Sequence, residues 1–408
     1  MKLRHPLCFV SLTTSLMAQG VVPPFQTGQV NPLPGLSAGS LLVGDVTQVH
    51  LIHLPNDPPS VFYCALTVRA TFSPNSNLDL LCGSYDVLTD TFTPNSDAAA
   101  LNTTGREANM TLHHTGLFAV FDRPNGWAWL ASRPATGQPW QIVGQIGQVL
   151  PQPIYTPALA DYHGQPHLLY TLYYIYQGGP GIAMQPIDLA TAQVTGLPIV
   201  IVNGATPYSM AHSPIPVTDP NGELIGVSHG DLYNPIPAHS DHYMSLDLDA
   251  STPAVLMNRT TTLGGPGGFV GGRFFDAENL PLPYHIFAID TFWFTGGRAS
   301  VGGTMHVRMF SPPTAGPQVY LSLFAVSFAF LPVGLPIPAV QGLVGINAAG
   351  GWSSALTSHN NSNGEAQVSF VIPNAPSLSG VRLCAQSATL EAGIGAVRLG
   401  NTALLVVD

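Results

Sequence analysis

The histidines are the residues of this chain whose type most directly suggests chemistry. The 408 residues include 14 histidines but a single lysine, Lys2. Imidazole nitrogens bind zinc, manganese, copper and iron, so a divalent metal is the candidate cofactor. Spacing does not identify the ligands, because His163 and His167 are separated by Gly164 and Pro166, which exclude a helical pair. The composition therefore suggests a metal, and no cofactor is assigned with certainty.

Five polar residues stand where short apolar segments begin, and they are the candidate ligand-binding residues. If those segments are strands that start around one opening, their side chains meet there although they are distant in sequence. His212, which precedes Ser213 and Pro214, is the candidate metal ligand among them. No pattern assigns a catalytic role to any residue. The five candidates are Glu107, Asn109, Tyr155, His212 and Arg273.

A sequence motif that occurs three times predicts the strands and turns that position these residues. Each copy has an apolar strand, a turn that ends in glycine and a second apolar strand. The turns read HHTG at 113–116, DYHG at 161–164 and DPNG at 219–222, so their glycines lie 48 and 58 residues apart. Such spacing is typical of repeated β units, which must stack because one unit cannot bury both of its faces. We therefore predict five units between Leu41 and Phe310, the last of them from Leu263 to Phe310.

The third copy carries a resemblance to a known family. The segment Pro214–Ser228, with Tyr243–Asp249 after it, resembles a TolB-type propeller repeat, in which a proline opens the inner strand and a glycine turn precedes the next strand. The resemblance implies blades that stack radially and so protect their edges. The predicted fold is all-β, a five-bladed β-propeller followed by a small β-sandwich. A β-sandwich or β-helix built from hairpins is the alternative.

Composition divides the remainder of the chain. Lys2 and Arg4 precede an apolar stretch, which is the layout of a secretory signal peptide, with an uncleaved membrane anchor as the alternative. Residues 320–346 carry no charge, but Pro332, Pro336 and Pro338 favour buried strands over a membrane span. The segments Ile372–Gly380, Cys384–Gln386 and Leu399–Asn401 are similar to a C-terminal β-sandwich module of uncharacterised secreted bacterial proteins, which covers roughly the last ninety residues. The predicted division is a signal peptide (1–18), an extended lead-in (19–40), a propeller (41–310), a linker (311–317) and a sandwich (318–408).

The charge balance limits the partners. Only 8% of residues are charged, and the formal net charge is −10. Nucleic acids and anionic membrane surfaces require clustered lysine and arginine, so they are excluded as expected partners. A neutral glycan or another cell-surface component fits better. We expect export to the medium or the cell surface, with the periplasm as the alternative.

Three cysteines remain if the signal peptide is removed. Cys64 and Cys82 lie in strand-like segments and could be bridged by a disulfide or remain two buried free thiols. Cys384 is expected to be a core thiol.

Three functions stay open. The first is a secreted propeller protein that binds a glycan or another neutral extracellular ligand at the channel mouth. The alternative is a glycan-active enzyme, either a glycoside hydrolase or a metal-dependent polysaccharide lyase. The segment Asp219–Gly222 resembles part of a motif of invertase-like glycosidases, but Thr218 replaces the family's asparagine and its partner motifs are absent from the chain. The third hypothesis is a structural envelope protein. Because only one of the three hypotheses is an enzyme, the sequence does not decide whether the chain is one.

Overall fold

The structure is a computed structural model. It describes residues 45–58, 61–69, 78–86, 91–123, 127–147, 155–172, 181–202, 209–218, 222–233, 239–247, 254–261, 269–270, 273–278, 285–290, 293–294, 296–311, 319–328, 330–341, 343–347, 354–360, 365–391 and 395–408. The predicted signal peptide and lead-in, and all of the predicted linker except Ser311, lie outside these residues. The described residues are all-β, with multiple antiparallel sheets and one short 3-10 turn at Pro376–Leu378. None of them forms a helix that could cross a membrane.

Five antiparallel sheets follow one another along the chain. Consecutive strands pair in sequence order, because tight turns join neighbouring strands, with one exception in the third sheet. The first sheet contains β1 (Asp45–Ile52), β2 (Val61–Arg69), β3 (Leu78–Asp86) and β4 (Thr91–Asn95), and the second β5 (Ala108–Leu112), β6 (Phe118–Arg123), β7 (Trp127–Ser132) and β8 (Gln141–Gln145). The third contains β9 (Tyr155–Tyr162), β10 (Gln165–Leu172), β11 (Gly181–Asp188), β12 (Gln193–Val194) and β13 (Ile199–Val202), of which β13 pairs with β11. The fourth contains β14 (Ser209–Thr218), β15 (Leu224–Tyr233), β16 (His239–Asp247) and β17 (Ala254–Thr261), and the fifth β18 (Phe269–Val270), β19 (Arg273–Glu278) and β20 (His285–Asp290).

The first strands of the five sheets contact one another in a closed cycle. Strand β1 contacts β5, β5 contacts β9, β9 contacts β14, β14 contacts β18, and β18 contacts β1. Polar side chains link the sheets along this cycle. The backbone N–H of Leu112 donates to Nδ1 of His50, and the Thr111 hydroxyl donates to the Pro157 carbonyl. Burial lowers the pKa of His50 to about 4, so its imidazole stays neutral and can accept that bond.

Apolar side chains fill the spaces between successive sheets. One cluster joins the first and second sheets through residues such as Leu101, Phe121 and Trp140, all fully buried. Two more join the second sheet to the third and the third to the fourth. Strand β6 is buried over its four central residues because both of its faces are covered, which explains its continuous apolar run.

The C-terminal strands form a separate set of sheets. One contains β21 (Trp293–Phe294), β23 (Thr304–Phe310) and β29 (Glu365–Val371). A larger one contains β22 (Gly297–Ala299), β24 (Val319–Ser327), β26 (Val340–Gln341), β28 (Ser354–Asn360), β30 (Arg382–Glu391) and β31 (Ala396–Val407). The hairpin of β25 (Phe330–Pro336) and β27 (Leu343–Ile346) completes the set.

Residues 293–310, which the sequence assigned to the fifth unit, pair with these C-terminal strands. Strand β23 pairs with β29 along its whole length, and β22 pairs with β31. The reason is that apolar and polar side chains alternate along β23. The apolar ones, Met305, Val307 and Met309, are buried in one core with Ala403 and Leu405. The sheet that begins at Phe269 therefore ends at Asp290 among the described residues.

The three described cysteines are free thiols, so the disulfide alternative is not formed. In the β2–β3 ladder Cys82 lies opposite Ala65, and Cys64 lies opposite Gly83. Neighbouring residues of a strand point to opposite faces, so the two sulfurs are directed apart. Cys384 is also buried, as expected.

Candidate functional site

The five sequence candidates lie at or near strand starts, but not all on first strands. Glu107 directly precedes β5, Asn109 lies within β5, and Tyr155 is the first residue of β9. His212 lies in β14 opposite Gly230, whereas Arg273 begins β19, the second strand of its sheet. The side chains of Tyr155, His212 and Arg273 are outside the described part of the structure. The metal prediction at His212 therefore stays a prediction.

Glu107 is held by protein groups. Its carboxylate is fully buried and accepts hydrogen bonds from the backbone and hydroxyl of Thr103, at 3.1 and 2.7 Å. Nε of Arg123 lies 3.6 Å from the same carboxylate. These contacts hold the loop before β5 in place, so Glu107 has a positioning role.

Asn109 has a different environment. Its φ of 55° lies in the left-handed region, and its Nδ2 donates to Oδ2 of Asp122 at 2.6 Å. The side chain is only partly buried. Asn109 is thus the sequence candidate whose described side chain is both accessible and bonded to a buried carboxyl group.

The repeated turns meet at the other end of the same strands. The first turn joins β5 to β6, the second joins β9 to β10, and Gly222 and Glu223 belong to the third. The backbone N–H of Asp161 donates to the Gly222 carbonyl, and Asp161 forms a β-bridge with Glu223. Sheets stacked in sequence order thus bring three turns together that lie about fifty residues apart in the chain.

Two histidines of the first turn bind the aspartate of the second. His113 Nε2 lies 3.1 Å from Asp161 Oδ1, and His114 Nε2 lies 2.7 Å from Asp161 Oδ2. One ligand atom from each residue falls within 4.8 Å of the other two, a separation suited to a shared metal ion. We call His113, His114 and Asp161 the turn triad.

The surroundings fix the orientation of the turn triad. Nδ1 of His113 lies 2.9 Å from the Thr115 hydroxyl, so Nε2 is the nitrogen directed at the aspartate. Burial raises the pKa of Asp161, but hydrogen bonds from His113 and His114 outweigh it and hold the pKa below its usual range. The carboxylate is therefore ionised at neutral pH, as metal coordination requires.

Glu223 holds the second turn in place. Its carboxylate accepts hydrogen bonds from the backbone N–H groups of His163, at 2.5 Å, and Gly164, at 3.1 Å. His163 has a φ of 52°, and its Nδ1 lies 3.2 Å from Nη1 of Arg298 in the C-terminal unit. The turn that carries Asp161 is thus anchored by the fourth sheet and by β22.

Gly222 allows His114 to approach. A Cβ at Gly222 would overlap the His114 ring, and its φ of 87° also disfavours other residues. We expect Gly222→Ala to displace His114 and to destabilise the fold by roughly 1–3 kcal/mol. If the turn triad holds zinc, the variant should also bind zinc about 10-fold more weakly. Calorimetric zinc titration and denaturant unfolding measure the two effects.

Gly164→Ala is the matched control for Gly222→Ala. Gly164 has a φ of 67°, but a Cβ there meets no atom within 4 Å. This control should lose stability yet keep the affinity for zinc. Equal loss of affinity in both variants would show that backbone strain, not displacement of His114, causes the effect.

The turn triad is not among the residues predicted from the sequence. Those candidates lie at or near strand starts, whereas His113 and His114 lie in a turn and Asp161 lies near the end of β9. A signal was present: aligning the copies on Gly116 and Gly164 places His113 and Asp161 at equivalent positions. Stacking of the units then brings these positions together, but the alignment alone does not show that neighbouring turns touch.

Comparison with known proteins finds limited likeness. No family model and no curated protein matches the chain. Among solved structures, the chain is similar to a family 117 glycoside hydrolase of the marine bacterium Zobellia galactanivorans, with 13% identity and a TM-score of 0.42 over 64% of this chain and 90% of that one. It is also similar to an exo-β-1,3-galactanase of Phanerochaete chrysosporium, with 10% identity and a TM-score of 0.43 over 93% and 99%. A β-propeller domain of Cps50 from Myceliophteria thermophila shares 11% identity, with a TM-score of 0.27 over 73% and 85%. Because these TM-scores are below 0.5, the function proposed for this chain rests on its own residues.

Proposed function

We propose that this protein binds a divalent transition-metal ion, with zinc as the representative, through the turn triad. The observation that carries the proposal is that both oxygens of Asp161 lie within 3.1 Å of histidine Nε2 atoms from the neighbouring turn. Two imidazoles and one carboxylate are a donor set that binds zinc, manganese or iron. The ion would replace the hydrogen-bonded contacts between the same atoms.

Three protein ligands leave the coordination sphere open. Structural zinc sites use four protein ligands, whereas catalytic sites use three and keep a position for water or substrate. His114 has a side chain 31% exposed and Asp161 one 17% exposed, so solvent and small ligands can reach the site. The triad therefore suits binding and polarising a ligand oxygen, which is the chemistry required by the metal-dependent enzyme alternative.

The wider architecture belongs to the same proposal. We infer that the five consecutive sheets are blades of a TolB-type β-propeller and that the C-terminal unit is a β-sandwich. The closed cycle of contacts among the first strands supports this arrangement.

We further propose that the protein is exported, that its ligand is a neutral glycan, and that the ligand-binding mouth lies at the strand starts. The low charge content and the net charge of −10 support a neutral ligand.

Zinc titration tests the metal proposal. Protein without a polyhistidine tag, stripped with a chelator, is titrated with zinc in a calorimeter. We expect one equivalent to bind with a Kd on the order of 1 µM or tighter. His113→Ala and His114→Ala should each weaken binding by about 100-fold, since each removes one of three ligands.

His306→Ala is the control for these variants. His306 is a partly exposed histidine in β23 whose Nδ1 bonds to the Ser369 hydroxyl, outside the turn triad. Its removal should leave the Kd unchanged, and circular dichroism confirms that each variant is folded. Wild-type protein that binds no zinc, manganese or iron, or a folded His114→Ala variant with unchanged affinity, would refute the proposal.

A further inference from the structure

A buried carboxyl group with an unsatisfied oxygen lies at the opposite end of the second sheet from the turn triad. Asp122 in β6 pairs with Ala108 at the start of β5, whereas the triad histidines follow the end of β5. The five residues of β5 separate the two places by about 16 Å. Asp122 is therefore at the strand starts, where the sequence predicted a ligand.

The two oxygens of Asp122 have different environments. Oδ2 accepts hydrogen bonds from Asn109 Nδ2 at 2.6 Å and from the backbone N–H of Thr156 at 3.0 Å. Oδ1 is buried and has no hydrogen-bond partner among the described residues. Asp122 is 8% exposed, so the unsatisfied atom belongs to a side chain more than nine-tenths buried. Buried polar atoms are nearly always satisfied, and an exception calls for a partner.

The two donors to Asp122 have strained backbones. Asn109 has a φ of 55° and Thr156 a φ of 48°. The left-handed region is unfavourable for non-glycine residues and most of all for a β-branched one. Strain of this kind clusters at ligand sites, where the surrounding structure maintains it. Here it directs donors from two sheets onto one carboxyl oxygen.

Burial favours the protonated form of the Asp122 carboxyl group. Burial raises the pKa of Asp122 to about 7, although the bonds from Asn109 and Thr156 and the charge of Arg106 lower it. Arg106 is the charged group that acts on Asp122; Glu107 and Arg123 lie nearby in the chain but face each other. Below neutral pH, Asp122 can therefore donate an O–H through Oδ1 while Oδ2 keeps its two bonds.

We propose that Asp122, Asn109 and Thr156 form a second site, which binds a neutral hydroxyl-bearing ligand through a hydrogen bond donated by Oδ1 of Asp122. Asn109 and Thr156 are partly exposed, so a ligand can contact the two residues that donate to the buried carboxyl group. The positive charge of Arg106 disfavours a cationic ligand, and the buried carboxyl group disfavours an anionic one. A neutral saccharide fits these conditions. This inference rests on the proposed binding of a neutral glycan at the strand starts, but it does not depend on the turn triad.

Binding of neutral trisaccharides at two pH values tests the second site. The probes are cellotriose, xylotriose and β-1,3-galactotriose, and saturation-transfer NMR in the presence of EDTA keeps any metal from contributing. We expect at least one probe to bind the wild type with a Kd below about 10 mM at pH 5.5, about 10-fold more tightly than at pH 8.5. The loss follows from ionisation of Asp122, which removes its donor.

Three variants distinguish hydrogen-bond donation by Asp122 to the ligand from a purely structural role of this residue. In Asp122→Asn, the amide can donate in place of the carboxyl O–H, so binding should persist at both pH values and lose its pH dependence. Asp122→Ala should weaken binding at least 10-fold at pH 5.5 and have little further effect at pH 8.5, where the wild type has already lost the donor. Asn109→Gly keeps the left-handed backbone without strain but removes one donor to Oδ2, and it should weaken binding several-fold in a folded protein.

Asp188→Asn is the matched control, because Asp188 is an exposed aspartate that caps the turn at Thr191. It should retain the wild-type affinities and their pH dependence. Failure of all three probes to bind, or unchanged pH dependence in Asp122→Asn, would overturn the proposal. Because EDTA is present, neither result bears on the turn triad.

Discussion

Asp97→Ala is expected to lower the free energy of unfolding by about 3–5 kcal/mol, because it leaves the guanidinium of Arg133 buried without its counter-ion. The Arg133 side chain is fully buried, and its Nη1 donates to Asp97 Oδ2 at 3.1 Å. The Tyr63 hydroxyl donates to the same oxygen at 2.9 Å. Removing this one carboxylate therefore breaks two buried hydrogen bonds at once.

Aromatic rings cannot replace the lost charge. The Arg133 guanidinium lies 4.3 Å from the Tyr63 ring centroid and 4.4 Å from that of Trp140. Such contacts contribute roughly 2 kcal/mol or less, which is smaller than the penalty for an unpaired buried charge. Burial raises the pKa of Tyr63 far above its usual range, so its phenol stays neutral. The loss of stability in Asp97→Ala is thus expected to appear as a lower denaturant midpoint.

Guanidinium unfolding followed by tryptophan fluorescence measures this effect. The double variant Asp97→Ala, Arg133→Met should be more stable than Asp97→Ala alone, since it removes the uncompensated charge. Asp408→Ala is the control, because it breaks the more exposed pair with Arg298 and should cost about 1 kcal/mol or less. A loss in Asp97→Ala no larger than in this control would contradict the assignment.

Asp161→Ala is expected to reduce zinc affinity by about 1,000-fold or more. Asp161 contacts both histidines of the turn triad, so its loss removes one ligand and releases the other two. A loss on this scale is about 4 kcal/mol of binding free energy. Asp161→Asn keeps the size and one oxygen but removes the charge, so its affinity should be intermediate.

Thermal unfolding provides a second measurement of the same change. Zinc at 100 times its Kd should stabilise the wild type by about 2.7 kcal/mol, because the ion binds the native state. The same zinc concentration should leave the melting temperature of Asp161→Ala unchanged. Asp188→Ala, which removes an exposed carboxylate elsewhere, should retain the full zinc shift. Zinc stabilisation that persists in Asp161→Ala would place the ion elsewhere.

The strand pattern of the second sheet could be predicted from the sequence. The apolar runs on either side of the turn that ends at Gly116 predicted the strands observed as β5 and β6. These signals are local, because a turn and a strand depend on neighbouring residues. The pairing of β23 with β29 could not be predicted in this way, since its partner lies about sixty residues away.

The sequence by itself determined an all-β chain of repeated hairpins, because turn glycines and apolar runs act within a few residues. Only the tertiary structure decided which polar residues meet. It placed His113 and His114 against Asp161, and Asn109 and Thr156 against Asp122, in contacts that cross from one sheet to the next or from one strand to its neighbour. Such contacts depend on the stacking and register of whole sheets, which no local pattern specifies.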